Sequence, residues 1–135
     1  MLGAGWANGY VGLPWLEHGR DARGLDCWGL VRLVYEEQFG IDLPSLSDGY
    51  EDTVDGASIS ALYAAERCDW IEHPGPAPGD AVVFRIVGIP LHVGVVVDAR
   101  SFLHAWVERG TCLDRLTSPA WRPRVLGFYR HRSRS

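Results

Sequence analysis

Cys27, His92 and His104 are the residues of this chain whose types could together carry out nucleophilic chemistry. A thiol attacks a carbonyl only as its thiolate, so it needs a base to take its proton and return it to the leaving group. Cys27 follows Asp26, a good N-cap residue. It opens a run to Phe39 in which Leu30, Val31, Val34 and Phe39 recur at helical spacing. A cysteine in a first helical turn meets the positive end of the helix dipole, and the first-turn amides, its own included, can stabilise an oxyanion. The bland alternative for Cys27 is a small buried hydrophobe, the common fate of a free cysteine. The two histidines favour the chemical reading. His92 would serve as general base, and His104 would hold it in the useful tautomer and support its charged form, as a carboxylate or amide does in other triads.

That reading makes a geometric demand. His92 begins the strand-like run His92–Val97, and His104 lies within Phe102–Trp106, with a turn expected near Asp98–Ser101. In an antiparallel pair the two rings share a face only if the loop has an odd length, three residues for instance, or contains a bulge. A clean two-residue turn would put them on opposite faces and break the site.

The positioning elements follow from periodicity. The helix from Cys27 to Phe39 is expected to stop at Gly40. A polar loop covers 41–56, and a second helix is expected over about 57–67, with Ile59, Leu62 and Tyr63 on one face. The stretch His73–Asp80, with Pro74, Pro76 and Pro78, reads as a turn region. Strands are then expected at Ala81–Val87, Leu91–Val97, Phe102–Glu108, Cys112–Leu116 and Val125–Tyr129. Helices first and consecutive antiparallel strands second make an α+β domain, with helix packed on a curved sheet. One domain accounts for residues 1–135, with a core of about 12–129 and a basic tail at 130–135 read as a solvated end.

Composition narrows the function class. The net charge of −4 argues against nucleic acid as the main partner. The longest apolar run is strand-sized, so no membrane span is expected. Met1–Tyr10 has no basic residue before its apolar positions and does not read as a secretory signal, so synthesis in the cytosol is expected. Cys27, Cys68 and Cys112 form no close pair, which makes a poor disulfide framework and a poor structural zinc site. Cys68 and Cys112 are assigned to packing. No cofactor and no metal is expected.

The runs Asp26-Cys27-Trp28-Gly29-Leu30-Val31, Gly40-Ile41-Asp42-Leu43-Pro44, Pro78-Gly79-Asp80, His92-Val93-Gly94-Val95 and Leu103-His104-Ala105 resemble the NlpC-type cell-wall peptidases, in the family's order. The resemblance spans about Gly12 to Trp106. It implies a papain-like fold, with N-terminal helices packed on the sheet, and cleavage of a peptidoglycan stem peptide, typically at the bond from γ-D-glutamate to a diamino acid. Within the family the chain looks most like tail-associated peptidases of long-tailed bacteriophages, where Trp follows the cysteine and Gly-x-Pro-Trp precedes it, here Gly12-Leu13-Pro14-Trp15. That implies a virion location, tail-tip or hub partners, and delivery to the wall by the particle itself. Cell-wall members usually have Ser where this chain has Trp28, and Tyr where it has Trp15. Those positions flank the acyl side of the substrate, so the preferred peptide does not carry over. Trp15, Trp28 and His18 are candidates for the oxyanion or substrate wall, although core packing is an alternative for Trp15. Asp26 is a candidate for binding a substrate amine, compatible with its capping role.

Two rival readings stand beside the enzyme. One is a structural tail component with an idle hydrolase fold. The other is a metal-binding module using Cys27, His92 and His104, whose residue types suit zinc but lack the close spacing of a metal motif.

Overall fold

Asp26 caps the central helix as its residue type predicts: its Oδ1 accepts the Gly29 N–H at 2.8 Å. The computed structural model describes residues 2, 3, 5–16, 19–43, 70–86 and 89–134. His18, Cys68 and the helix expected over 57–67 lie outside the described residues. Helix α1 spans Cys27–Val34 and buries Leu30, Val31 and Val34 completely. Beyond Val34 the expected α-helix becomes a wider π-helical turn, Tyr35–Phe39, which ends at Gly40 in the left-handed conformation with φ 66°. The widening falls where Tyr35 is pinned: its hydroxyl donates to the Gly79 carbonyl at 2.5 Å, and its ring packs on Phe39 and Trp70. Apolar spacing marks the buried face of such a segment but does not distinguish the two helical windings.

A two-stranded hairpin, β1 (Arg20–Asp21) and β2 (Gly24–Leu25), leads into α1. Among the described residues the main sheet is antiparallel and six-stranded. Its strands are β3 (Trp70–His73), β4 (Ala81–Ile86), β5 (Ile89–Val96), β6 (Ser101–Trp106), β7 (Gly110–Arg115) and β8 (Val125–His131), in the order β3-β8-β4-β5-β6-β7. Strands β4 to β7 form the expected meander. The last strand returns to the other side of β4, with β3 outside it.

Three expectations are corrected. His73 belongs to an edge strand rather than to the turn, because Trp70–His73 pairs with Phe128–His131. Strand β8 therefore runs past Tyr129. Arg130 is no part of a frayed tail: its Nε lies 3.3 Å from Asp80 Oδ1, and its Nη2 donates to His73 Nε2 at 3.3 Å. The core also begins before residue 12, since the 3-10 helix Trp6–Tyr10 buries Ala7 and Tyr10.

The sheet has two apolar faces. Val95, Leu103 and Ala105 pack with Leu30, Val31 and Val34 of α1. Val82, Phe84, Val96 and Phe102 form the other face, across which Leu116 and Trp121 fold. Strands β5 and β6 are joined through the three-residue loop Asp98–Arg100, closed by the Val97 N–H bonded to the Ser101 carbonyl at 2.9 Å. Asp98 Oδ1 accepts the N–H groups of Arg100 and Ser101, both at 2.8 Å, which sets the turn. The odd loop length that a shared histidine face demands is present.

Candidate active site

The registers Val95↔Leu103 and Val96↔Phe102 fix the face parity between β5 and β6, and so relate His92 and Gly94 to His104 and Trp106. All four residues share one face, and His92 Nε2 lies 2.8 Å from His104 Nδ1. A Cβ on residue 94 would stand 2.8 Å from the Leu103 carbonyl oxygen and 3.3 Å from the His104 Cβ, so glycine is what lets β6 and its histidine come this close. His92 is 4% exposed and His104 0%. Trp106 meets the His92 ring edge-on at 5.0 Å, and Trp121 stacks on it at 5.9 Å while meeting His104 at 4.9 Å. The pair thus sits in an aromatic, water-poor setting. Burial, and secondarily the neighbouring His104, pushes the His92 pKa well below its ordinary value. Burial also lowers that of His104, with Asp114 opposing the shift.

Asp114 is the residue the sequence reading missed. Its Oδ2 lies 2.7 Å from His104 Nε2, and Arg109 Nη1 approaches the same oxygen at 3.4 Å. The pairing Phe102↔Asp114 and His104↔Cys112 shows why: Asp114 projects on the histidine face of the neighbouring strand. The signal was available, since the three residues between Trp106 and Gly110 form another odd loop that preserves face parity from His104 to Asp114. Trp121 reaches the site from a loop and left no periodic trace.

Cys112, assigned to packing, borders the same group, with Sγ 3.6 Å from His104 Nε2 and 4.0 Å from Asp114 Oδ2. Burial raises its pKa, with Arg109 opposing the rise and Asp114 adding to it, which disfavours its thiolate. The ligand atoms of His104, Cys112 and Asp114 lie within 4.8 Å of one another, a donor set of zinc-binding type. The 2.7 Å His104–Asp114 separation is nevertheless that of a hydrogen bond. Two nitrogen or oxygen ligands of one tetrahedral zinc stand about 3.3 Å apart. The geometry therefore favours a proton between these atoms.

A series of backbone tethers places Cys27. The Gly12 N–H donates to the Thr111 carbonyl at 2.9 Å, the Thr111 N–H to the Leu13 carbonyl at 2.9 Å, and the Leu25 N–H to the Pro14 carbonyl at 3.0 Å. The Thr111 hydroxyl accepts the Leu13 N–H at 2.7 Å and donates to the Tyr10 carbonyl. The start of α1, two residues past Leu25, is thereby hung from the Gly110–Thr111 end of β7. Gly110 pairs with Trp106, whose ring meets that of His92 at 5.0 Å, so Cys27 opens its helix at the end of the sheet that carries His92. Helix α1 packs on β5 and β6 through the face alternate to the histidines. Cys27 is 5% exposed. Asp26 is completely buried in its capping role, while Trp15 and Trp28 are partly buried against the α1 core, the packing alternative for Trp15. Trp15 also bridges to Leu25, beside the helix start.

Residues 12–130 match the model of the NlpC/P60 family. The chain is 31% identical over 117 residues to Murein DD-endopeptidase MepS/Murein LD-carboxypeptidase of Escherichia coli (strain K12), an alignment covering 87% of this chain and 55% of that protein. It is 26% identical over 128 residues to Gamma-DL-glutamyl hydrolase of Bacillus subtilis (strain 168), covering 92% of this chain and 27% of that protein. The chain thus spans about half the length of the first of these relatives and about a quarter of the second. Among solved structures, an NLP/P60-family protein similar to lipoprotein from Staphylococcus aureus superposes with a TM-score of 0.64 at 23% identity, covering 93% of this chain and 38% of that one. The α+β, papain-like architecture expected from the sequence is the one found.

Proposed function

This chain belongs to the NlpC/P60 family, and from that premise we propose that it is a cysteine peptidase that hydrolyses peptidoglycan stem peptides. Cys27 is the nucleophile, His92 the general base and acid, and His104 the residue that orients His92. The observation that carries this reading is the buried 2.8 Å hydrogen bond between His92 and His104, on the two strands against which the Cys27 helix packs. His92 takes the thiol proton as sulfur attacks the peptide carbonyl carbon, and first-turn amides of α1 receive the oxyanion. Collapse to the thioester expels the amine, which leaves with the proton from His92. Water, deprotonated by the same ring, then hydrolyses the thioester and restores the thiol.

We assign the scissile bond as γ-D-glutamyl to diamino acid. The name of the Bacillus subtilis relative supports a γ-glutamyl linkage, whereas the name of the Escherichia coli relative points to a DD bond. Digestion of diaminopimelate-type peptidoglycan by the purified protein, with fragments identified by mass, tests both reaction and bond. Fragments ending in γ-D-glutamate are expected; intact stem peptides at high enzyme concentration would contradict the assignment. We also place the protein in a bacteriophage tail tip, on the motif Gly12-Leu13-Pro14-Trp15 and on Trp28. Its presence in purified particles, read by peptide mass spectrometry, is the corresponding test. One observation favours the idle-fold rival: Cys27 is 5% exposed. An active enzyme exposes this thiol to a small alkylating reagent without denaturant, and an idle one does not.

A further inference from the structure

We infer that Asp114 is a positioning residue that sets the tautomers of both histidines and so presents the Nδ1 lone pair of His92 to the thiol. The inference rests on the reading of His92 as base and extends it to a four-member relay. An ionised carboxylate only accepts hydrogen bonds. Asp114 Oδ2, 2.7 Å from His104 Nε2, therefore requires the proton of His104 to sit on Nε2. A neutral imidazole with a proton on Nε2 has an acceptor at Nδ1. That acceptor lies 2.8 Å from His92 Nε2, which must then be the donor. His92 is left with a bare Nδ1, the nitrogen a base needs. The alternative arrangement puts a lone pair of His104 against the carboxylate and a proton on His92 Nδ1, where no further proton can be accepted.

Among the described residues, the other charged or ionisable groups at the relay come from β7 and the turn before it. Arg109 Nη1, 3.4 Å from Asp114 Oδ2, supplies a compensating positive charge from the solvent side. Cys112 Sγ, 3.6 Å from His104 Nε2, brings only a weak hydrogen-bonding group. Elsewhere the imidazoles meet the rings of Phe84, Phe102, Trp106 and Trp121.

The test reads the tautomers directly, by long-range proton–nitrogen NMR of the imidazole rings in the full chain at neutral pH. In the wild-type protein both His92 and His104 are expected to be protonated on Nε2 alone. In Asp114→Asn, whose amide can either donate or accept, that preference is lost and Nδ1-protonated rings appear. Activity on stem peptides should fall roughly ten- to a hundredfold in kcat with KM little changed, and Asp114→Glu should restore part of it. A wild-type His104 protonated on Nδ1 overturns the inference, as does an Asp114→Asn protein with unchanged tautomers and unchanged kcat. The spectra are informative even if the protein hydrolyses nothing. Loss of the peptidase assignment with Nε2 tautomers intact would therefore strike the proposed function alone.

Discussion

Burying His92 beside a second imidazole makes its neutral form the stable one, and this has a measurable consequence at the scale of the residue. Its folded pKa is depressed below the ordinary 6.5, chiefly by burial. Between those two values the unfolded chain binds more protons than the folded one, so stability rises with pH across that window and is lost as pH falls from about 6.5 toward the depressed value. His104 is shifted in the same direction and adds to the loss. The thermal midpoint should drop between pH 7 and pH 5, and His92→Phe should flatten that drop; equal slopes for both proteins would contradict the burial argument. The meeting of His92 with His104 was legible in the sequence, because an odd loop between their two strands puts both rings on one face. The carboxylate behind His104 was legible only as a matter of parity. Its role emerges when two odd loops have both been counted.

At the scale of the element, the site depends on how the lead-in segment is clasped to β7. Thr111 binds that segment through its backbone and its hydroxyl, and Gly110 makes the close approach possible. Gly110 has φ 73°, and a Cβ there would stand 2.2 Å from the Leu13 carbonyl oxygen. Gly110→Ala should cost about 1–3 kcal/mol in chemical denaturation. It should also lower kcat, because the start of α1 hangs from this contact. A variant with unchanged stability and rate would show that the clasp does not position the helix. The helix start at Cys27 and its stop at Gly40 could be read from sequence because capping is local chemistry. The π-helical end, the β1–β2 hairpin and β3 could not, since long-range contacts decide whether such short segments are paired or widened.

The whole molecule is closed by a connection between its last strand and the turn before the meander. Asp80 is completely buried, with its Oδ1 at 3.3 Å from Arg130 Nε and its Oδ2 at 3.5 Å from His73 Nδ1. Arg130 is about a third exposed, so solvent screens part of the attraction. Asp80→Ala should still cost about 2 kcal/mol in denaturant unfolding by leaving the guanidinium and the buried space uncompensated; a change within error would contradict that structural role. The α+β class and the meander were legible from helices preceding strands of period two. The return of β8 beside β4 was not, because no local pattern records which strand edge a late strand joins. The central claim is that Cys27, at the helix start, does the chemistry and Cys112, on the strand, does not. The most direct measurement compares release of stem-peptide fragments from peptidoglycan by the wild type, Cys27→Ala and Cys112→Ser. The account predicts fragments from the wild type and Cys112→Ser and none from a folded Cys27→Ala. Fragments from Cys27→Ala at the wild-type rate would contradict it.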